Sequence, residues 1–211
     1  MPNQLTDHTM QLGVQELIQR EPLFARIVSR YDLPPLWQRN QGFATLIHII
    51  LEQQVSLASA KAAYKRLQAN CNPLTSDEFL TLSDGELKQI GFSRQKTDYG
   101  RALAQAILSK ALDLEALETC SDDDVRAQLM QVKGIGVWSA NIYLLMALGR
   151  PDIWPKGDLA LQVAIQQIQG LSKRPTSAQA QAMSEAWRPW RAVAARLLWH
   201  FYLSERRQSY P

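Results

Sequence analysis

The chain has 211 residues, 46% of them hydrophobic, and 23 basic against 20 acidic side chains give a net charge of +3, which suits one large domain or two small ones with a real core. The longest apolar stretch, Phe43 to Leu51, is interrupted by His48 and is far short of the ~20 residues a membrane helix needs, and no basic-then-apolar leader is read at the N-terminus. The two cysteines, Cys71 and Cys120, exclude a four-thiolate cluster or an all-cysteine zinc site, and His8, His48 and His200 have no ligand spacing with them; the expected compartment is reducing and cytoplasmic, or nucleoid-associated in a bacterium.

In chain order, Met10 to Arg20 and Pro22 to Arg30 have helical apolar spacing, with Pro22 suited to a first helical position. Pro34-Pro35 breaks the pattern. Gly42 to Leu51 is almost continuously apolar and predicts a buried central helix, ending at Glu52-Gln53-Gln54-Val55. Ser56 caps the next helix, Leu57 to Leu67. Thr75-Ser76-Asp77-Glu78 and Ser83-Asp84-Gly85-Glu86 each fit a capping box, with Gly91 as the second stop. Helices are then expected over Arg94 to Lys110, briefly over Asp113 to Glu118, and over Asp122 to Met130 behind Ser121. Val137 to Leu148 has few polar residues and reads as mostly buried. Asp158 opens a helix to about Ile168, Thr176 or Ser177 caps another, and a last helix restarts at Arg188-Pro189 and runs toward Glu205. No segment alternates with period two over a strand length, so the predicted fold class is all-α.

Charge is uneven along the chain. From Leu171 to Pro211 there are seven basic residues against Glu185 and Glu205, whereas Leu112 to Val125 holds six acids and no base. Such runs suit a nucleic-acid partner on the basic side and equally suit ordinary solvated helix faces.

The stretch Gln131-Val132-Lys133-Gly134-Ile135-Gly136-Val137-Trp138 puts two glycines between two helical runs, so that Gly134 and Gly136 can supply the restricted φ values a tight helix-turn-helix junction needs. The first N–H groups of the second helix lack internal partners and, with the helix dipole, favour a phosphate. Read alone, the pattern also fits a plain turn. Asp158 follows after a short loop with Pro151 and Pro155; on its own it also fits an N-cap, and Trp138 and Trp199 also fit core positions. Together, a phosphate grip, a carboxylate and aromatic faces suit an enzyme acting on a nucleotide drawn out of a duplex. A non-catalytic DNA-binding module would keep the hairpin without needing Asp158.

Four motifs in order carry a resemblance: Leu51-Glu52-Gln53-Gln54-Val55-Ser56, the hairpin over residues 132–140, Lys156-Gly157-Asp158-Leu159-Ala160-Leu161, and Glu185-Ala186-Trp187-Arg188-Pro189-Trp190-Arg191. The chain resembles the helix-hairpin-helix DNA glycosylases, and within them the 3-methyladenine DNA glycosylase II type. The resemblance implies a two-lobed helical fold with an interdomain cleft. Its lobes would be built from N-terminal helices (1–40) packing with C-terminal helices (151–211), and from a central segment (41–150) that includes the hairpin. It implies a monomer that flips and hydrolytically excises alkylated purines from double-stranded DNA, with Asp158 catalytic and Trp138 and Trp199 at the base pocket. Gln53, Gln54, Ser56, Lys133, Gly134, Ile135 and Gly136 would meet DNA, Gln54 filling the gap left by the flipped base. No cofactor is required, although the backbone carbonyls of Met130, Val132 and Ile135 match positions that hold a monovalent cation in relatives.

The departures are informative. Trp138 stands where bifunctional relatives have a lysine, and Lys133 and Lys156 are off that position, so no Schiff-base lyase is expected. The iron–sulfur branch needs cysteines that this chain lacks, and no segment reads as the β-rich N-terminal lobe of some relatives. Glu52 replaces a glycine found in many of them. Departure of a cationic purine leaves an oxocarbenium-like sugar, which a carboxylate at Asp158 would stabilise while orienting or deprotonating the attacking water.

Overall fold

The Thr6 hydroxyl accepts the Thr9 N–H and so starts the first helix, while Pro22 needs no N–H and sits naturally at the start of the second. In the computed structural model, which describes residues 4–207, twelve α-helices follow one another. They are α1 (Asp7–Arg20), α2 (Pro22–Tyr31), α3 (Phe43–Glu52), α4 (Leu57–Asn70), α5 (Ser76–Thr81), α6 (Asp84–Ile90), α7 (Arg94–Leu108), α8 (Asp122–Leu129), α9 (Val137–Met146), α10 (Leu159–Gln169), α11 (Ser177–Ser184) and α12 (Arg191–Glu205). No strand occurs among the described residues, so the fold is all-α. Residues 1–3 and 208–211, the ends of the expected first and last segments, lie outside the described residues.

Local chemistry accounts for most boundaries. Ser56, Ser83, Ser93, Ser121 and Thr176 each cap the helix that follows them, Ser83 with Glu86 completing a capping box. Gly91 ends α6 in the left-handed region. Two expectations shift. Helix α7 stops at Leu108 rather than Lys110, since Lys110 itself has φ +60. The short helix expected from Asp113 is only a 3-10 turn, Ala116–Glu118, because the Asp113 carboxylate accepts the Glu115 and Ala116 N–H groups and holds the preceding backbone in its own turn.

The chain divides into two compact units, one from residues up to Gln38 together with those from Leu144 onward, the other from Arg39–Tyr143. In the first, α12 is central and packs against α1, α2 and α10. It is buried all round from Arg191 to Trp199, which explains why its sequence shows little amphipathic contrast. Arg196 is 1% exposed, and its guanidinium donates to the carbonyls of Leu36, Ala192 and Leu145. Arg191 and Arg188 grip Asp152 and Glu185. Two members of the basic C-terminal run, Arg191 and Arg196, are therefore internal scaffolding, while Lys173, Arg174, Arg188 and Arg207 stay exposed.

In the second unit, α3 packs on α4 and α7, with α5 and α6 beside them. Leu46, Ile47, Ile49 and Ile50 are buried on several sides at once, each contributing roughly 1.5–3 kcal/mol of transfer free energy. The continuous apolar run that obscured its periodicity follows from that environment. No helix among the described residues is long and apolar enough to cross a membrane.

Candidate active site

In the first unit, the loop from Arg150 to Gly157 is fixed before it reaches Asp158. Arg191 donates from Nε to Asp152 Oδ1 at 2.8 Å and from Nη2 to Asp152 Oδ2 at 3.1 Å and to the Asp152 carbonyl at 2.8 Å. The Ala192 N–H bonds the Pro151 carbonyl at 3.0 Å. The start of α12 thus holds the start of the loop. Gly157, at φ +89, turns the chain into Asp158, which has extended backbone and caps α10. Asp158 Oδ1 accepts the Leu161 N–H at 3.0 Å and the indole N–H of Trp199 at 3.2 Å. The same helix that anchors the loop also holds its carboxylate. Asp158 is half-buried, and its neighbour Leu159 is an apolar side chain left 56% exposed.

Trp199 is 5% exposed and joins Asp158 through its polar edge. Expected at a base pocket, Trp199 has in the structure the place of a neutral donor beside the carboxylate. Trp138, on α9 in the second unit, is half-buried.

The hairpin lies between α8 and α9. Gly134 has φ +93, and an added Cβ would lie 2.1 Å from Tyr99 Cγ. Gly136 differs: its φ is not in the positive range, and a Cβ there meets nothing within 4 Å. A positive φ, open to both glycines on sequence, is taken by Gly134 alone. The Gly136 carbonyl accepts the Ala140 N–H at 3.0 Å, starting α9, and the residue itself is exposed, as is Lys133. Ile135 is 4% exposed and anchors the turn in the core. Its N–H donates to the Val132 carbonyl at 3.1 Å, while Met130 closes α8 with an exposed side chain. Of the three carbonyls expected at a cation, Val132's therefore already serves the hairpin, keeping its second lone pair. Among the described residues no group of His, Cys, Asp or Glu is placed to hold a metal ion.

The turn between α3 and α4 shows what sequence reasoning missed. Gln53, expected at DNA, uses its amide N–H groups internally: Nε2 donates to the Gly134 carbonyl and to Ser139 Oγ, both at 2.9 Å. Ser56, also expected at DNA, is exposed; its oxygen accepts the Ser59 N–H as the expected cap of α4, which leaves the O–H as a donor. Gln54 is exposed with φ +56. Behind the turn, Arg39 forks the Glu52 carboxylate at 2.6 and 3.1 Å, and Lys96 donates to the Leu51 carbonyl at 2.7 Å. Burial holds the Lys96 ammonium below the usual lysine pKa. Glu52 thus pairs with an arginine rather than facing the turn. His48 stacks on Tyr64 at 4.0 Å, and desolvation followed by the charge of Arg39 lowers its pKa to about 3. Its Nε2 is 3.6 Å from Glu52 Oε1, but Arg39 already neutralises that carboxylate, so the imidazole stays uncharged near neutrality. These contacts join residues up to 86 positions apart, and no local pattern announces them.

The family model for the HhH-GPD superfamily base excision DNA repair protein matches residues 47–191, spanning the α3–α4 turn, the hairpin, Asp158 and Arg191. The chain belongs to this superfamily. Among relatives, it is 28% identical over 178 residues to the Schizosaccharomyces pombe protein named DNA-3-methyladenine glycosylase 1, covering 82% of this chain and 78% of that one. Among solved structures, the superfamily fold recurs in a Bacillus halodurans DNA-3-methyladenine glycosidase with a TM-score of 0.73 and 26% identity, covering 92% and 91% of the two chains. It recurs again in a Schizosaccharomyces pombe 3-methyladenine DNA glycosylase in complex with abasic DNA, at TM-score 0.80 and 24% identity over 92% of this chain and 96% of that one.

Proposed function

We propose that the protein is a monofunctional DNA glycosylase that flips alkylated purines of the 3-methyladenine type out of double-stranded DNA and hydrolyses their N-glycosidic bond. The observation that carries this reading is the Asp158 carboxylate, held at the start of α10 by the Leu161 N–H and the Trp199 indole N–H, within a superfamily of base excision repair proteins. The names of these relatives support the lesion class.

A purine methylated at N3 or N7 carries positive charge, so it leaves as a neutral base once the C1′–N bond breaks, and the sugar takes up the charge. Asp158 stabilises that oxocarbenium-like sugar, and water adds to C1′ while losing its proton to the carboxylate or solvent. Both Trp199 and Leu161 are neutral donors. They orient the carboxylate without cancelling its charge, as such a role requires. The half-buried Trp138 supplies aromatic surface, which favours an electron-poor methylated base, while the buried Trp199 contributes its indole N–H to Asp158. Exposed Lys133 and Gly136 at the hairpin hold backbone phosphate, contacts that position without reading sequence. Gln54 at the exposed turn fills the gap left by the flipped base. The backbone carbonyls of Met130, Val132 and Ile135 would hold a monovalent cation, which would supply positive charge beside the hairpin. The protein acts as a monomer and requires no redox cofactor.

The test is release of free base from duplexes carrying 3-methyladenine, 7-methylguanine, hypoxanthine or ethenoadenine. Excision of 3-methyladenine with an intact abasic strand as product supports the reading; no base release from any of the four contradicts it.

A further inference from the structure

Three polar contacts from different parts of the second unit converge on the last residues of α3. Lys96 holds the Leu51 carbonyl, Arg39 forks Glu52, and Gln53 reaches across to the hairpin, where one amide nitrogen donates both hydrogens, to the Gly134 carbonyl and Ser139 Oγ. The next residue, Gln54, is exposed and has φ +56, a conformation that a side chain with a Cβ adopts only when its surroundings impose it. Helix α7 ties both ends of this arrangement, because Lys96 sits on the turn and Tyr99, one helical turn later, occupies the space beside Gly134. The turn and the hairpin are therefore held in one register by two routes, Gln53 directly and α7 behind it.

We propose that Gln53 is a positioning residue that locks the Gln54 turn to the hairpin, so that filling the gap in the duplex and gripping its backbone occur as a single preorganised act. This rests on the reading of Gln54 as the gap-filling residue. A side chain entering a base stack must be ordered when it enters, and a turn already fixed to the backbone grip has less ordering left to do. Both amide hydrogens of Gln53 are committed inside the protein, so neither is offered to a DNA phosphate. Ser139, 3% exposed, is the second member of the lock.

The test is a double-mutant cycle on the full chain, with wild type, Gln53→Ala, Gln54→Ala and the double variant binding duplexes with or without a tetrahydrofuran abasic analogue. Gln53→Ala should lower the preference for the abasic duplex roughly tenfold, the scale of a lost buried hydrogen-bonding contact, and leave undamaged-duplex affinity nearly unchanged. Gln54→Ala should do the same, and the double variant should be little worse than either single one. A 2-aminopurine opposite the analogue should brighten with wild type and much less with Gln53→Ala. Should Gln53→Ala fail to fold, Ser139→Ala takes its place in the cycle with a smaller effect of the same sign. Additive effects, an equal loss on undamaged duplex, or no abasic preference in the wild type would overturn the proposal. The analogue cannot be excised, so this result is independent of whether the wild type releases methylated purines.

Discussion

The indole N–H of Trp199 donates to Asp158 Oδ1 at 3.2 Å, and that same oxygen accepts the Leu161 N–H at 3.0 Å. Two donors on one oxygen, one from α12 and one from α10, fix the orientation of the carboxylate. Trp199→Phe keeps an aromatic ring and removes one donor. Single-turnover excision should fall about tenfold, as for a lost hydrogen bond to a charged group, while affinity for abasic duplex stays close to wild type. An unchanged rate in a folded variant would show that Trp199 only fills space.

The two hairpin glycines should separate fold from function. Gly134→Ala places a Cβ against the Tyr99 ring at φ +93, so its main effect is a lower melting temperature. Gly136→Ala has room for the methyl group and should fold normally. If this exposed backbone approaches phosphate, binding to undamaged and lesion duplexes should weaken alike, and the log–log salt slope should become shallower by up to about one unit. Unchanged affinity and slope in Gly136→Ala would reduce the hairpin to a turn.

By the resemblance, Trp138 matches the position of the lysine in bifunctional relatives, and Lys133 and Lys156, off that position, are exposed. Borohydride added during turnover should trap no protein–DNA adduct, because no amine attacks the sugar. A trapped complex that disappears in Lys133→Ala or Lys156→Ala would mean a Schiff-base mechanism.

The fold class, the helix caps and the aspartate that opens α10 are legible in sequence because each is written locally: Ser83 with Glu86, Gly91 after α6, and Asp158 before an apolar run. What was not legible is long-range. Arg191 and Arg196 read as part of a basic surface, yet Asp152 and a set of backbone carbonyls take them into the interior. Gln53 reads as one of two adjacent glutamines available to DNA, and only the hairpin folding back 81 residues later claims its amide. Gly134 and Gly136 look equivalent in sequence, and the ring of Tyr99 is what distinguishes them.

His48 gives the fold a pH dependence with a defined sign. Its pKa is depressed from 6.5 to about 3 in the folded protein, faced by Arg39, Glu52 and stacked Tyr64. Between those values the unfolded chain binds a proton that the native protein does not. Its contribution is therefore fully present above about pH 6.5 and is lost as pH falls toward about 3. His48→Phe preserves a ring against Tyr64 and deletes Nε2, which has no hydrogen-bond partner among the described residues. The melting temperature of this variant should fall less on acidification than that of wild type, the titrating carboxylates being common to both. Parallel curves would contradict the assignment.

The central claim is that the charge of Asp158 drives excision, and Asp158→Asn tests it most directly. Asparagine caps a helix about as well as aspartate, so α10 and the Leu161 contact should survive, and the Trp199 N–H keeps an acceptor. The measurement is single-turnover release of 3-methyladenine from duplex DNA, with lesion affinity and melting temperature recorded alongside. A rate lower by roughly a thousandfold or more, the scale of a lost transition-state electrostatic contact, with folding and lesion binding retained, is the predicted result. A folded Asp158→Asn that releases the base at a near-normal rate would contradict the account.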